Sequence, residues 1–260
     1  MDTRSTVIKW YKRLGFPEKY DGRFEALLSL RLPMIRKEFS ENAGDNFLTA
    51  LYQCEALEQK FREMGIGQTV LYDTLSDLKL WTDVWYDQSG ELGLMETGWL
   101  SNHFSGKLFR LGRLQFCMGK AMEDVPAYGL KQNDPVIEIH IPAGEPMGIE
   151  ACKASITGAR SFFAQHFPEY AYRCFTCHSW LLDKSLEAFL DRDSNILAFQ
   201  GIFDVVSAEK SDALLKYIFG WGTDREVLPL CKPASSLAKC VQNHALSGGK
   251  FYVGYGVLQL

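Results

Sequence analysis

The sequence predicts an α+β protein, with helices alone through about residue 103 and a mixture of strands and helices from there to the end. Two observations carry this reading. Apolar residues recur at spacings of three and four in the first part, the period of a helix face, and at every second residue beyond Leu108, the period of a strand. Punctuation agrees, because Gly15, Pro17, Gly65, Gly90, Gly144, Pro146 and Pro168 stand where one pattern stops and another starts. A chain of 260 residues is long enough for one large domain or two ordinary ones, at about 150 residues each.

Taken in order, Val7, Tyr11 and Leu14 share a face of a helix from Thr6 to Leu14, which Gly15 and Pro17 end. A second helix carries Tyr20, Phe24, Leu27 and Leu28. Asp45 is the expected N-cap of a longer one, with a stripe at Phe47, Leu51, Cys54, Leu57, Phe61 and Met64 closed by Gly65. Leu71, Leu75, Leu78, Trp81 and Trp85 make one further amphipathic face ending before Gly90, and Trp99 to His103 suggests a short helix. Leu108 to Met118 then reads as a single strand with polar groups on both faces. From Pro135, VIEIHIP alternates strictly, with Ile137, Ile139 and Ile141 on one face and Val136, Glu138 and His140 on the other. After the break at Gly144 and Pro146, a helix from about Gly148 to His166 turns Ile149, Cys152, Ile156, Ala159 and Phe163 inward. Strands are expected at Tyr172 to Leu182, Asn195 to Val206 and Lys250 to Leu260, with helices around Ser211 to Phe219 and Ser235 to Leu246.

Composition narrows the function classes. Hydrophobic residues are 47% and charged ones 23%, which is globular usage, and the net charge of -4 supplies no basic footprint for nucleic acid. The amino terminus is charged from its second residue with no apolar core, and no apolar run reaches the 18 or so residues of a membrane helix. A cytoplasmic protein without a membrane partner is the expectation. Seven cysteines without an export signal are expected as reduced thiols.

Several catalytic signatures are absent, namely G-x-S-x-G, H-E-x-x-H, G-x-x-x-x-G-K-[ST] and G-x-G-x-x-G. Cys174-Phe175-Thr176-Cys177-His178 does match C-x-x-C-H, the haem attachment pattern. That chemistry needs an exported chain, and in a strand period two would send the two thiols to opposite faces, so no haem is expected. A zinc site from these cysteines with Cys231, Cys240 and His244 is disfavoured because structural zinc uses paired knuckles in Gly-containing turns whereas this pair lies in an expected strand, and no metal is expected. His178 reads as an ordinary core or surface histidine. The stronger constellation is strand, break, helix. Free N–H groups and the positive dipole end at Met147, Gly148, Ile149 and Glu150, with Gly144 before them, make a candidate anion site. Glu138 and His140 lie two apart on the strand leading there and form a candidate acid–base pair. The same pattern also fits a solvated strand face with an ordinary turn.

The stretches YKRLGFPEKYD, DTLSDLKLWTDVWYDQSGELGLMETGWLSNHFSGKLFRLGRLQF, HIPAGEPM, SWLL and SNIL resemble a bacterial acyltransferase family whose chains join a helical N-acyltransferase N-terminal domain to a GNAT-like C-terminal domain. The resemblance covers nearly the whole chain and implies a division at 1–103 and 104–260. It also implies a mixed, mostly antiparallel sheet with flanking helices, acyl-CoA as co-substrate held between VIEIHIP and CFTCHSWLL, and a small-molecule or other amine as acceptor. By the same resemblance, Glu138 takes the place of the base and Tyr217 that of an acid, while the pyrophosphate would sit at Gly144, Met147, Gly148, Ile149 and Glu150. The loop GEPMGIEACK departs from the GNAT pyrophosphate motif [RQ]-x-x-G-x-[GA]. A degenerate GNAT-like module that binds a ligand without catalysis is the alternative expectation.

Overall fold

The structure is a computed structural model and describes residues 2–144 and 146–260; Glu145, part of the expected break and of the GEPM segment, lies outside the described residues. The expected change of class is found where the period changes. Among the described residues six α-helices come first: α1 (Thr3–Leu14), α2 (Asp21–Arg31), α3 (Ala43–Glu63), α4 (Gln68–Leu75), α5 (Asp77–Ser89) and α6 (Thr97–Phe104). They are followed by β1 (Leu108–Leu111), β2 (Leu114–Lys120), β3 (Pro135–His140), α7 (Ile149–His166), β4 (Cys174–Ser179), α8 (Asn195–Gln200), β5 (Asp204–Lys210), α9 (Ala213–Phe219), α10 (Ser236–Leu246) and β6 (Tyr252–Gln259). The strands form a sheet in the order β1-β2-β3-β4-β6-β5. Only β3 and β4 are parallel among the registered pairs; β1–β2, β4–β6 and β5–β6 are antiparallel. Among the described residues no helix is long and apolar enough to cross a membrane.

Four local expectations are corrected. Asn42, not Asp45, caps α3: its side chain accepts the Asp45 N–H, while Asp45 sits in the first turn and takes a bidentate ion pair from Arg31. The face from Leu71 to Trp85 belongs to two helices, which change over at Ser76, where the hydroxyl turns back to the Asp73 carbonyl. Leu108 to Met118 is a hairpin rather than one strand, because Gly112 takes φ +70° and turns the chain between Leu111 and Leu114. Asn195 to Val206 is a helix followed by a strand. Ser194 caps α8 by accepting the Ile196 N–H, so the apolar run NILAF is a helical turn.

The chain divides into two compact units, Met1–Cys117 with Pro142–Gly144 and Phe162–Phe167, and Met118–Ile141 with Glu145–Ser161 and Pro168–Leu260. In the first, Tyr11 stacks on Phe24 at 3.8 Å and Phe47 meets Phe16 edge-on at 5.2 Å, so the expected stripes are core. Its buried polar node is Asp77, which accepts from Trp99 Nε1 at 3.1 Å and lies 3.0 Å from His103 Nε2. Burial alone would raise the Asp77 carboxyl, but the bonds from His103, Gln115 and Trp99 hold it below the usual range. Residues from both ends of the longest stretch of the family resemblance, 73–116, thus meet in a structural node.

In the second unit, β4 pairs with β6 along its whole length and β6 with β5, with a bulge between Val205 and Ser207. Ser179 turns the chain out of β4 by accepting the Leu181 N–H, which places Leu182 over β6. Gly254 and Gly256 make room for it. A Cβ at Gly254 would stand 2.7 Å from the Leu182 carbonyl oxygen, a backbone atom that has no rotamer to yield. Gly254→Ala is therefore expected to destabilise the protein by about 1–3 kcal/mol through overpacking, as read by urea denaturation. A midpoint unchanged from wild type would refute it.

Candidate functional site

Glu138 and His140 occupy the last turns of the pleat in β3, on the face away from the buried Ile137 and Ile139. Period two puts them side by side. Glu138 Oε2 and His140 Nε2 are 3.4 Å apart, and each side chain is about a third exposed. The Glu138 side chain lies over Gly119 of β2, where an added Cβ would come 2.8 Å from its Cγ. Tyr170 braces the same place, its hydroxyl lying 2.7 Å from the Gly119 carbonyl oxygen and 3.1 Å from that of Val136.

The parallel register of β3 with β4 has two partner pairs, Ile137 with Phe175 and Glu138 with Thr176. Past them no further β3–β4 partner pair is found among the described residues, although β3 runs to His140 and β4 continues on β6 through Ser179, so the β3–β4 ladder ends before the two strands do. Arg160 of α7 lies 5.8 Å over the Phe175 ring, which sets α7 on the face opposite Glu138 and Thr176. α7 starts at Ile149, and its first turn closes with the Cys152 N–H on the Gly148 carbonyl. Geometry therefore leaves the N–H groups of Ile149, Glu150 and Ala151 without intrahelical acceptors. Around Gly148 a Cβ would meet nothing within 4 Å, so the approach to these groups is open. Met147 is half-buried beside them. Glu150 pairs with Lys153 at 3.0 Å and brings a carboxylate to the first turn. Gly144 takes φ +103°, a conformation that favours glycine.

Tyr217, on α9, stacks on Trp180 at 6.5 Å and is 55% exposed. Trp180 directly follows β4, which puts Tyr217 near the C-terminal end of that strand. Sequence reasoning passed over Thr176 and Tyr255 and gave His178 no functional role. Cross-strand register aligns Glu138 with Thr176 and His178 with Tyr255, so these polar groups share the face of Glu138. The alternation of CFTCHS carried that signal, but which neighbour it would face depended on pairing remote in sequence. Tyr255 is buried, and that burial raises its phenol above the usual range.

The thiols of C-x-x-C-H are free and buried, on opposite faces of β4. Burial pushes Cys177 up to about 12 and Cys174 to about 11. Native protein treated briefly with iodoacetamide at pH 8 is expected to take label at the half-buried Cys231 and Cys240, and not at Cys177, as read by peptide mass spectrometry. Labelling of Cys177 at the rate of Cys240 would count against this. His244 stacks on Phe189 at 4.6 Å, and among the described residues no three His, Cys, Asp or Glu side chains converge to hold a metal.

Comparison with known proteins agrees with this architecture. Residues 26–106 match the N-acyltransferase N-terminal domain family and residues 108–258, more than half of the chain, the GNAT-like C-terminal domain family. The chain is similar to an acyltransferase crystallised in complex with decanoyl-CoA, at 30% identity and TM-score 0.73, over 83% of this chain and 65% of that one, less than two thirds of its length. It is also similar to an acyltransferase in complex with decanoyl-CoA and teicoplanin, at 23% identity and TM-score 0.78, over 98% of this chain and 87% of the other. A third structure, with CoA and 10C-teicoplanin, aligns at 23% identity and TM-score 0.77, over 98% and 87%. These two likenesses speak to the fold. No curated protein matches the chain. By these matches the chain belongs to the family that joins an N-acyltransferase N-terminal domain to a GNAT-like C-terminal domain.

Proposed function

We propose that the chain is an acyl-CoA-dependent N-acyltransferase that moves an acyl group to an amine acceptor by direct attack on the thioester. The observation that carries this reading is the end of the β3–β4 ladder at Glu138 and Thr176, short of the C-terminal ends of both strands, with Glu138 and His140 on one face of the sheet there and α7 on the other. A pantetheine arm passing between the strands would have its pyrophosphate at Met147 to Glu150, where the N–H groups of Ile149 and Glu150 lack intrahelical acceptors while that of Gly148 is bonded to the Pro146 carbonyl, and its thioester beside Glu138. We take residues 1–103 as the helical domain and 104–260 as the acyl-CoA domain. Related acyltransferases crystallised with acyl-CoA, CoA and teicoplanin support a thioester donor and a small-molecule acceptor here.

In this reading the amine nitrogen attacks the thioester carbonyl, the C–N bond forms, the C–S bond breaks and coenzyme A leaves as the thiol. Glu138 or His140 removes the proton from nitrogen, directly or through water. An amine near pKa 10.4 is mostly protonated at pH 7, so a positioned base is worth about 10² to 10⁴ in rate. Backbone N–H groups at the end of β3 would stabilise the oxyanion. Tyr217, beyond Trp180, is the acid we assign to the leaving thiolate.

The binding half is tested by calorimetry with acetyl-CoA and decanoyl-CoA. One site per chain is expected. Gly148→Leu should weaken it roughly tenfold, because a side chain would obstruct approach to the helix start. A Cβ at Gly148 meets nothing within 4 Å, so the variant is expected to fold, as an unchanged urea midpoint would check. Absence of binding by either thioester would overturn the proposal. One observation favours the second reading, a module that binds without catalysis: the loop lacks the GNAT pyrophosphate motif and carries Glu150, whose charge opposes a phosphate. Tight binding with no transfer to any amine would decide for it.

A further inference from the structure

A cleft of about 220 Å³ lies on the face of the second unit that carries Glu138, lined by Met122, Glu123, His178, Ser207, Glu209 and Tyr255 among others. Its floor is built by register: His178 is the cross-strand partner of Tyr255, and Tyr255 of Ser207. The bulge between Val205 and Ser207 shifts the parity of β5, which turns Ser207 and Glu209 to the Tyr255 face. His178 Nε2 lies 3.6 Å from Glu209 Oε1. Because His178 stands two residues past Thr176, the partner of Glu138, the cleft begins just past the end of the β3–β4 ladder.

Its charge selects a ligand class. Two carboxylates and one imidazole face it, and no lysine or arginine is among its described lining, so it disfavours anions. The acids do not converge with a third ligand to hold a metal ion among the described residues. Met122 and Val253 add apolar wall, which suits the methylenes of an organic cation. We propose that this cleft binds the cationic amine of the acyl acceptor, with Glu123 and Glu209 facing the ammonium and His178 accepting a hydrogen bond from it. The proposal rests on the acyltransferase reading for the identity of that amine as acceptor, and on the cleft alone for the binding.

The test is an NMR titration of the full chain with n-butylammonium, following the His178 ring and the Ser207 and Val253 amides, with n-butanol as the neutral control. Saturable shifts with the ammonium and none with the alcohol are expected. The Glu123→Gln, Glu209→Gln double variant should bind roughly tenfold more weakly. Glu209→Gln alone, at a side chain 71% exposed, gives the same direction without risk to the fold. Unmoved resonances, equal binding of the alcohol, or unchanged affinity in both variants would overturn the proposal. Calorimetry with acyl-CoA on the same preparation separates the two ideas. Thioester binding without amine binding removes the cleft alone, whereas amine binding without thioester binding keeps the cleft and removes the acyltransferase reading.

Discussion

Glu138→Gln is expected to lower turnover about 10²-fold or more while leaving the affinity for acyl-CoA unchanged. Glutamine keeps the length and shape of glutamate, so the side chain still lies over Gly119 and within reach of His140. What it loses is the ability to take a proton. A loss confined to kcat, with the calorimetric Kd held, separates a base from a binding residue, because an interaction made only on the way to the transition state leaves ground-state binding alone. The 3.4 Å spacing to His140 makes the histidine the competing base, and His140→Asn is the control. Full activity in Glu138→Gln together with inactive His140→Asn would move the role to His140.

The architecture was legible because period is a local property. VIEIHIP became β3 and the helix expected from about Gly148 became α7, each within a residue or two of its expected ends. The turn at Gly112 was missed because Leu108 to Met118 alternates through it without changing character; only the positive φ that glycine allows marks the hairpin. NILAF was misread because a short apolar run has no period, and the cap at Ser194 was the signal that decides it. The site was legible to a lesser degree. Glu138 and His140 are adjacent by alternation alone, but Thr176, His178 and Tyr255 join their face through register between strands far apart in sequence. SWLL and SNIL have a common physical reason that their spelling only hinted at: in each, the serine oxygen accepts an N–H two residues on and starts a helical turn.

Gly119 is a residue that chemistry-based reading of the sequence would never choose, and Gly119→Val is expected to cost about as much turnover as Glu138→Gln, on the order of 10²-fold. The Glu138 side chain fills the space above Gly119, so a valine there must displace it. What yields is the far end of a flexible side chain and not the backbone, so the fold should survive and the cost should fall on the position of the carboxylate. Adding Glu138→Gln to Gly119→Val should then lose little more, because the base is already out of place. Two changes acting through one group are not additive. Turnover of the two single variants and the double, with acyl-CoA affinity measured on each, checks this. Additive losses would mean that Gly119 acts through something other than Glu138, and a Gly119→Val variant with wild-type turnover would show that the carboxylate works equally well from another rotamer.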